Sequence, residues 1–365
     1  MTKSITNYQC PACTAPLKYS PETGKLDCEF CESSFTPQEI EAIYKEKEEK
    51  AAAQWDTSDL SDDWGEDTDK LRAYNCPSCN AKLMCEETTA ATSCPYCGNP
   101  TVVPGQFAGA LRPDYVIPFK LSQQDAVSAM KNYYKDKPFL PSAFHKQYSL
   151  EKIQGLYVPF WLYDGKASGS YLFHATRILT YRQGNCEITE TKYYHVARSG
   201  FATFEKVPVD ASSKMPDEYM DGLEPFLYAE LKPFSTAYLP GFLANRYDVS
   251  VKQSNARADR RCLNTLEKAL KETVVGMTTC QTRKKDAYLE RGKIHYALLP
   301  VWMLNVKWKE ENYLFAINGQ TGRIVGKPPI SYLKVAAMYL KQVMQHGAIL
   351  YLILLAMNLL MGGLS

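Results

Sequence analysis

The chain has 365 residues, of which 45% are hydrophobic and 22% are charged, the balance of a globular protein with two or three domains. This composition excludes a largely disordered chain. The formal net charge of +2 hides an asymmetry, because residues 1–100 carry nine Lys/Arg and eighteen Asp/Glu. The first hundred residues are therefore acidic, and the remaining 265 carry a balance of +11.

Eight of the twelve cysteines form two quartets that share one spacing, C-x2-C-x14-C-x2-C. Each C-x2-C step puts two thiolates on one tight turn, and a second turn across a short β-ribbon completes a tetrahedral shell of four sulfurs. The spacing predicts two zinc ribbons with two structural Zn2+ ions, since a four-thiolate site leaves no coordination position open for catalysis. The predicted ligands are Cys10, Cys13, Cys28 and Cys31, and then Cys76, Cys79, Cys94 and Cys97.

Disulfide bonds and ordinary buried thiols are the alternative interpretations of these cysteines, and both must explain two identical spacings within one hundred residues. Disulfides also need an oxidising compartment, whereas the first ten residues contain no apolar run of the kind that a signal peptide requires. We therefore expect a reducing cytosol. The remaining cysteines have no ligand-like spacing and receive no role: Cys85, Cys186, Cys262 and Cys280.

Zinc ribbons often bind nucleic acid, but the charges of these two ribbons argue against it. Phosphate binding needs Lys and Arg beside the recognition element. The first ribbon has two lysines against three acidic residues between its ligands, and the second has one lysine against two. A nucleic-acid partner is therefore not expected. The basic remainder of the chain suits anionic lipid headgroups, an acidic partner or simple solvation.

The segment that follows the first ribbon predicts a helix and then a tether. Thr36 is the expected N-cap, with Pro37 at the first helical position and Glu39 completing a capping box. Beyond this helix, the stretch from Asp56 to Asp69 contains seven acidic residues. Such a run repels itself, so we expect a disordered tether that lets the first ribbon move freely.

An internal repeat starts after the second ribbon. The run YVIPFK at 115–120, followed by a helix capped at Ser122, parallels YDVSVK at 247–252 and a longer helix. The segment 152–164 likewise matches 293–305 and aligns Pro159 with Pro300. The pattern predicts an α+β body built from a duplicated strand, helix and hairpin unit. Interior prolines favour edge strands or a bulge at both matched positions.

The C-terminal segment is apolar. No formally charged residue occurs from Gln342 to Ser365, and residues 347–364 are broken only by Asn358. This length lies at the short end of what spans a bilayer, and Lys334 and Lys341 precede it. The pattern predicts a single-pass membrane anchor that leaves the body on the cytoplasmic side. The alternatives are a buried C-terminal helix and a helix that lies flat on the membrane.

The usual spacings of enzyme motifs are missing from the sequence. There is no G-x-x-x-x-G-K-[ST], H-E-x-x-H, G-x-S-x-G or G-x-G-x-x-G, and the five histidines stand apart along the chain. We therefore expect no catalytic residues, no ATPase activity and no small-molecule substrate.

Several motifs of the body resemble a known family. They include YVIPFKLS (115–122), GLYVPFWLYD (155–164), VPVDASSKM (207–215), AYLPGFLANRYDV (237–249) and LLPVWML (298–304). With the CPxC ribbons, these resemble the bacterial TFIIB-type zinc-ribbon-containing proteins, often labelled as primosomal replication-restart helicases. The resemblance spans residues 76 to about 326. It implies association with a membrane beside PspA-like and flotillin-like proteins, while the missing P-loop contradicts the helicase label.

Together these observations predict a non-enzymatic, tail-anchored zinc adaptor whose ribbons project outward to recruit a protein partner. A nucleic-acid-binding zinc-ribbon regulator and an enzyme of unknown reaction in the body are the alternatives. The expected domains are a first zinc ribbon (1–35), a polar helix with an acidic linker (36–72), a second zinc ribbon (73–103), a first body repeat with its connection (104–244), a second body repeat (245–330) and a C-terminal membrane-anchor helix (331–365).

Overall fold

The computed structural model of the chain describes residues 8–12, 15–86, 93–100, 103–105, 111–144 and 152–362. It has the mixed α+β structure that the sequence predicts. The α-helices are α1 (Pro37–Ala52), α2 (Gln123–Lys135), α3 (Asp217–Leu223), α4 (Val251–Glu272) and α5 (Tyr332–Gly362). The strands are β1 (Lys18–Ser20), β2 (Lys25–Asp27), β3 (Ser34–Phe35), β4 (Leu71–Asn75), β5 (Lys82–Glu86), β6 (Val103–Gly105), β7 (Tyr115–Val116), β8 (Gln154–Gln183), β9 (Cys186–Asp210), β10 (Lys232–Pro233), β11 (Leu243–Asn245), β12 (Thr279–Trp308), β13 (Glu311–Asn318) and β14 (Ile324–Gly326).

The first ribbon is a small antiparallel sheet of β1, β2 and β3, with α1 packed against it. The predicted capping box is confirmed, because the Thr36 side chain accepts from the backbone N–H of Glu39 and the Glu39 carboxylate accepts from that of Thr36. The Tyr44 hydroxyl accepts from the N–H of Gln9 at 2.8 Å and donates to its carbonyl oxygen at 3.1 Å. These bonds hold α1 against the first cysteine turn.

The long strands β8 and β12 form the centre of the large sheet, which contains eleven of the described strands. They run antiparallel, and their side chains alternate between two apolar clusters as the period of a strand requires. One cluster packs against α4 and includes Tyr157, Trp161 and Tyr163. The opposite cluster includes Leu156, Val158, Phe160 and Leu162, and it contains cysteines of the second ribbon.

The pairing of the central strands follows the internal repeat of the sequence. Pro159 lies opposite Leu298, and its repeat counterpart Pro300 lies opposite Tyr157. On the outer sides, β7 pairs in parallel with β12 and β11 pairs in parallel with β8, again at matched positions. The short strand of each half therefore pairs with the long strand of the other half.

The strand register corrects one part of the predicted repeat. Tyr115 of β7 pairs with Ala297 of β12. The repeat counterpart of Ala297 in β8 is Leu156, and Leu156 pairs with Leu243 of β11. Leu243 and not Tyr247 is therefore the counterpart of Tyr115, so the predicted strand at 247–252 is wrong. The corrected alignment also superposes the two N-cap serines, Ser122 before α2 and Ser250 before α4.

The two prolines are not on edge strands, contrary to the prediction. Pro159 lies in β8, at the point where the neighbour on one side changes from the parallel strand β11 to the antiparallel strand β9. Pro300 lies in β12, where the neighbour changes from the parallel strand β7 to the antiparallel strand β13. Their carbonyl oxygens accept hydrogen bonds from Ala211 and Gly319, both at 2.9 Å. Because no ladder donor is required where the neighbour changes, proline is tolerated there.

Beyond the centre of the sheet, β8, β9 and β12 continue as a three-stranded arm, defined by residues 165–183, 186–204 and 279–291. Helix α4 packs on one face of the arm and buries Ala258, Cys262 and Leu266. The arm ends in the hairpin turn around Gly184, whose φ is +63°. The arm contains the N-terminal end of β12, and Trp308 is the C-terminal end of the same strand.

The acidic segment after α1 is not a free tether, which corrects the prediction. Trp55 and Trp64 are buried in the apolar cluster beneath α4. The backbone N–H of Asp56 donates to the Gly292 carbonyl, and the N–H of Ile294 donates to the Asp56 carbonyl. Asp56, Asp59, Asp62 and Asp63 are exposed while the two tryptophans pack on the body, so burial of the tryptophans outweighs the repulsion between the acidic residues.

Helix α5 leaves the body as one continuous element. The backbone N–H of Ser331 donates to the Phe139 carbonyl at 2.8 Å, and the Lys334 ammonium donates to the Leu140 carbonyl at 2.7 Å. The segment Tyr332–Met357 is long and apolar enough to cross a membrane, and none of it is buried against the described body. The alternative of a buried C-terminal helix is therefore wrong.

Candidate metal centres

The second cysteine quartet converges in space. The sulfurs of Cys76, Cys79, Cys94 and Cys97 all lie within 4.8 Å of one another. Two of the separations, Cys76 to Cys97 and Cys79 to Cys94, are 3.6 Å. A regular tetrahedron with metal–sulfur bonds of about 2.3 Å has its sulfurs about 3.8 Å apart. The four thiols can therefore hold one metal ion with little movement.

The three cysteine turns whose residues are all described have the same local construction. The residue four positions after the first cysteine has a positive φ and returns a hydrogen bond to that cysteine's carbonyl: Asn80 after Cys76, Gly98 after Cys94, and Glu32 after Cys28. This geometry turns the backbone N–H groups inside each loop toward the sulfur. Because the three turns share this form, the spacing alone predicts which cysteines cluster.

The protonation of the second quartet is uneven. Burial raises the pKa of the Cys76 thiol, but the N–H groups of Cys79 and Ser78 and the thiols of Cys97 and Cys79 together lower that pKa to about 7. Burial dominates at Cys94 and raises its pKa above the ordinary value. A bound cation favours the thiolate at every ligand, so the buried quartet suits a metal better than it suits four free thiols.

The first quartet is partly described. The sulfurs of Cys10, Cys28 and Cys31 lie within 4.8 Å of one another, and those of Cys10 and Cys31 are 3.5 Å apart. Cys13, the fourth predicted ligand, lies outside the described residues. None of the described cysteines forms a disulfide bond. This centre is at the surface, since Cys31 is exposed while Cys10 and Cys28 are buried.

The second centre is built into the body, which corrects the expectation that both ribbons project outward. Strand β5 pairs with β11, so the second ribbon belongs to the large sheet. The Asn305 amide donates to the Tyr96 carbonyl inside the cysteine turn, and the Gln154 amide donates to the Ser93 hydroxyl at 2.7 Å. These two contacts were not predicted, because β8 and β12 are remote from the ribbon in sequence.

The histidines are less isolated than the sequence indicates. His174 and His195 face each other across β8 and β9, with Nε2 and Nδ1 3.1 Å apart. His295 Nε2 lies 3.2 Å from the Asp164 carboxylate. Both contacts pair residues that are far apart in sequence and have no spacing signal.

A cavity of about 360 Å³ separates the first ribbon from the arm. Pro16 and Phe30 line it from the ribbon, and Leu172, Lys284 and Asp286 line it from the arm. It is a partly open cleft, across which the Ser170 hydroxyl donates to the Gln9 side-chain oxygen at 3.5 Å.

Comparison with known proteins places the chain in a family. It is 36% identical over 335 residues to the "Uncharacterized protein YdjG" of Bacillus subtilis (strain 168), a match that covers 92% of this chain and 93% of that protein. The chain belongs to the YdjG family. No family model and no solved structure matches it. The likeness therefore extends over most of the length of both chains.

Proposed function

We propose that the chain is a non-enzymatic, zinc-binding adaptor, anchored by its C-terminal helix at the cytoplasmic face of a bacterial membrane and recruiting a protein partner there. The YdjG relative comes from a bacterium, and the family resemblance implies association with a bacterial membrane. The PspA-like and flotillin-like proteins implied by that resemblance are the candidate partners.

The observation that carries this proposal is helix α5. Its apolar side chains are exposed around the whole circumference, from Leu350 at 59% to Leu354 at 55%. Each large apolar side chain kept from water is worth about 1.5–3 kcal/mol, and the described body offers no surface for them. A bilayer removes this cost. The lysines that precede the uncharged stretch favour retention of the body on the cytoplasmic side.

Zinc is the proposed metal for both cysteine clusters. Four thiolates in a closed tetrahedron suit Zn2+ or an iron–sulfur site, and the C-x2-C pairs across a short β-ribbon favour zinc. Cys10, Cys13, Cys28 and Cys31 would hold one ion, and Cys76, Cys79, Cys94 and Cys97 the other. Neither tetrad leaves a coordination position for a substrate, so the proposal assigns the metals a structural role.

Exposed apolar side chains support a protein partner. Phe30 on the first ribbon is 78% exposed, and Tyr193 on the arm is also 78% exposed. Ile178 and Tyr181 extend the exposed apolar surface toward the hairpin turn. Aromatic side chains of this kind are enriched at protein interfaces. The arm carries Tyr193, Ile178 and Tyr181 at the end of β12 opposite the membrane helix, within reach of a cytoplasmic protein.

Cell fractionation tests the anchor. The full chain should sediment with membranes and resist carbonate extraction, while a chain that ends at residue 341 should be soluble and retain both metals. Crosslinking followed by purification from the native membrane then tests recruitment. A full-length protein that stays wholly in the soluble fraction would reject the anchor, and crosslinks to nucleic acid in place of protein would reject the adaptor.

A further inference from the structure

We infer that one end of the body, the anchor face, binds the anionic headgroups of the membrane that α5 crosses. The anchor face consists of residues 135–141, 307–312 and 327–334. This inference rests on the proposed anchoring, and it adds a lipid-binding surface and a fixed orientation of the body.

Three segments meet where α5 begins. The turn 137–141 holds the root of α5 through the Phe139 and Leu140 carbonyls. Phe144, which follows this turn, packs edge-on against Trp308 and Tyr313 with ring centroids 5.5 and 5.9 Å apart. The tip of the β12–β13 hairpin therefore lies beside the root. Residues 327–331 complete the surface by leading directly into α5.

The length of α5 determines how near this surface is to lipid. The uncharged described part of the helix, 342–362, is about 31 Å long at 1.5 Å per residue, which matches a hydrocarbon core of about 30 Å. The ten residues 332–341 add about 15 Å. The headgroup layer occupies roughly 5–8 Å of that span. The anchor face is then within about one Debye length of the headgroups at physiological salt, close enough for attraction.

The charges of the anchor face have the required sign. It carries three acidic residues, Asp136, Glu310 and Glu311, against six lysines: Lys135, Lys137, Lys307, Lys309, Lys327 and Lys334. Lys307 pairs with Glu310 and Lys327 pairs with Glu218, both at 3.5 Å, but all four side chains are at least 67% exposed, so both pairs are weak. Lys341 adds a further positive charge on α5. Lysines near an anionic surface gain attraction that adds up over the set.

Apolar and aromatic residues at the root fit the same interface. Tyr332 and Leu333 are 83% and 84% exposed, and Ile330 is 58% exposed. Tyr339 lies two turns further along α5 and is also exposed. Tyrosines at the level of the headgroups and lysines beside them form the usual boundary of a membrane-spanning helix.

Lysine footprinting of the full chain tests this inference. The protein is reconstituted in nanodiscs of phosphatidylcholine alone or of equal parts phosphatidylcholine and phosphatidylglycerol, and its amines are acylated and quantified by mass spectrometry. We expect labelling of Lys307 and Lys309 to fall about threefold in the anionic discs relative to the neutral discs. Lys284 and Lys285, at the other end of β12, serve as internal controls and should label equally in both.

A charge-neutralised variant supplies the second measurement. Lys307→Gln with Lys309→Gln should weaken the lipid-dependent protection of Lys135 and Lys137, whereas Lys284→Gln with Lys285→Gln should leave it unchanged. Equal labelling of the anchor face in both lipids overturns the inference. If the protein is not incorporated into discs at all, the anchoring itself fails, so the two outcomes are distinguishable.

Discussion

The two cysteine quartets differ in what surrounds them, and this difference determines what a metal bound at each would stabilise. Cys76 and Cys94 are buried in the apolar cluster that also contains Leu156 and Met303 of the central strands. Cys28 directly follows β2 of the first ribbon, whose three strands form a separate sheet. Loss of the second metal should therefore affect the whole body, and loss of the first should remain local.

We predict that Cys94→Ser loses one metal ion and lowers the melting temperature of the body, while Cys28→Ser loses one ion and leaves that transition nearly unchanged. The physical reason is that metal binding and folding are coupled, with about 10–16 kcal/mol of binding free energy in isolated zinc-finger peptides. Metal analysis and thermal unfolding of the full chain in detergent measure both effects.

The exposed Cys186 provides the control for this comparison, because it lies in the hairpin of the arm away from both tetrads. Cys186→Ser should keep the metal content and the melting temperature of the wild type. A Cys94→Ser protein with an unaltered body transition would show that the second centre is not part of the core.

A buried ion pair at Asp210 gives a prediction about pH. Burial raises the pKa of the Asp210 carboxyl to about 6, even though Arg257 beside it opposes the rise. In the folded protein Asp210 therefore binds a proton at a higher pH than in the unfolded chain. Its contribution to the unfolding free energy is largest below pH about 4 and decreases as the pH rises toward 6.

We predict that the unfolding free energy of the wild type, measured relative to Asp210→Asn, falls by up to about 3 kcal/mol between pH 4 and pH 6 and is flat above that range. Taking the difference between the two proteins cancels the pH dependence of the cysteine ligands, which both share. Chemical denaturation of the full chain at several pH values measures it. A difference that grows as the pH rises would contradict the raised pKa.

At the residue scale, the sequence predicts what is local. The described cysteines of both quartets lie in short turns whose geometry depends only on neighbouring residues, so their spacing is sufficient to predict that they cluster. Asn305 and Asp210 act through partners that are remote in sequence, Tyr96 and Arg257. No spacing connects such residues, because the fold and not the local chain brings them together.

At the scale of elements, helix starts were predicted better than strand register. The capping boxes at Thr36 and Ser122 depend on side chains three residues apart, and both are present. The similarity of YVIPFK to YDVSVK aligns Tyr115 with Tyr247, which lies four residues beyond its structural counterpart Leu243. Strand pairing joins residues far apart in the chain, so a single sequence carries little information about it.

The acidic linker shows a second limit at this scale. Its charge pattern predicts a disordered tether, yet Trp55 packs edge-on against Tyr163 with ring centroids 4.7 Å apart. The indole N–H of Trp55 also donates to the Asp259 carboxylate at 3.0 Å. The sequence signal for this packing is the pair of tryptophans beside and within the acidic run. An interpretation based on the average composition of the segment does not detect it.

We predict that Trp55→Ala lowers the unfolding free energy by about 3–5 kcal/mol, the usual cost of removing a buried tryptophan. It should also expose the chain after α1 to proteolysis, since that packing fixes the linker on the body. Gln54→Ala, an exposed neighbour, should change stability by less than about 0.5 kcal/mol. Rapid cleavage of the linker in the wild type would restore the tether interpretation.

At the scale of the whole molecule, β12 connects two ends with different surroundings. Its C-terminal end meets the root of α5, and its N-terminal end begins the arm with its exposed aromatic residues. The tail was predictable because a run of apolar residues needs no tertiary information. The arm was not predictable in length, because its strands alternate exposed and half-buried residues without a strong apolar pattern.

The position of a charge along α5 distinguishes a membrane-spanning helix from one that is merely exposed. Ile353 lies near the middle of the uncharged stretch, and Leu333 lies about 30 Å away at the root. We predict that Ile353→Arg reduces the carbonate-resistant fraction of the protein, because arginine at the bilayer centre costs about 2.5–3.5 kcal/mol on insertion scales. Leu333→Arg should leave that fraction unchanged, since its side chain reaches the headgroups. Equal carbonate-resistant fractions for the two variants would mean that α5 does not cross the bilayer. Both positions are exposed aliphatic residues on one helix, so only a difference in membrane depth would make arginine cost more at one than at the other.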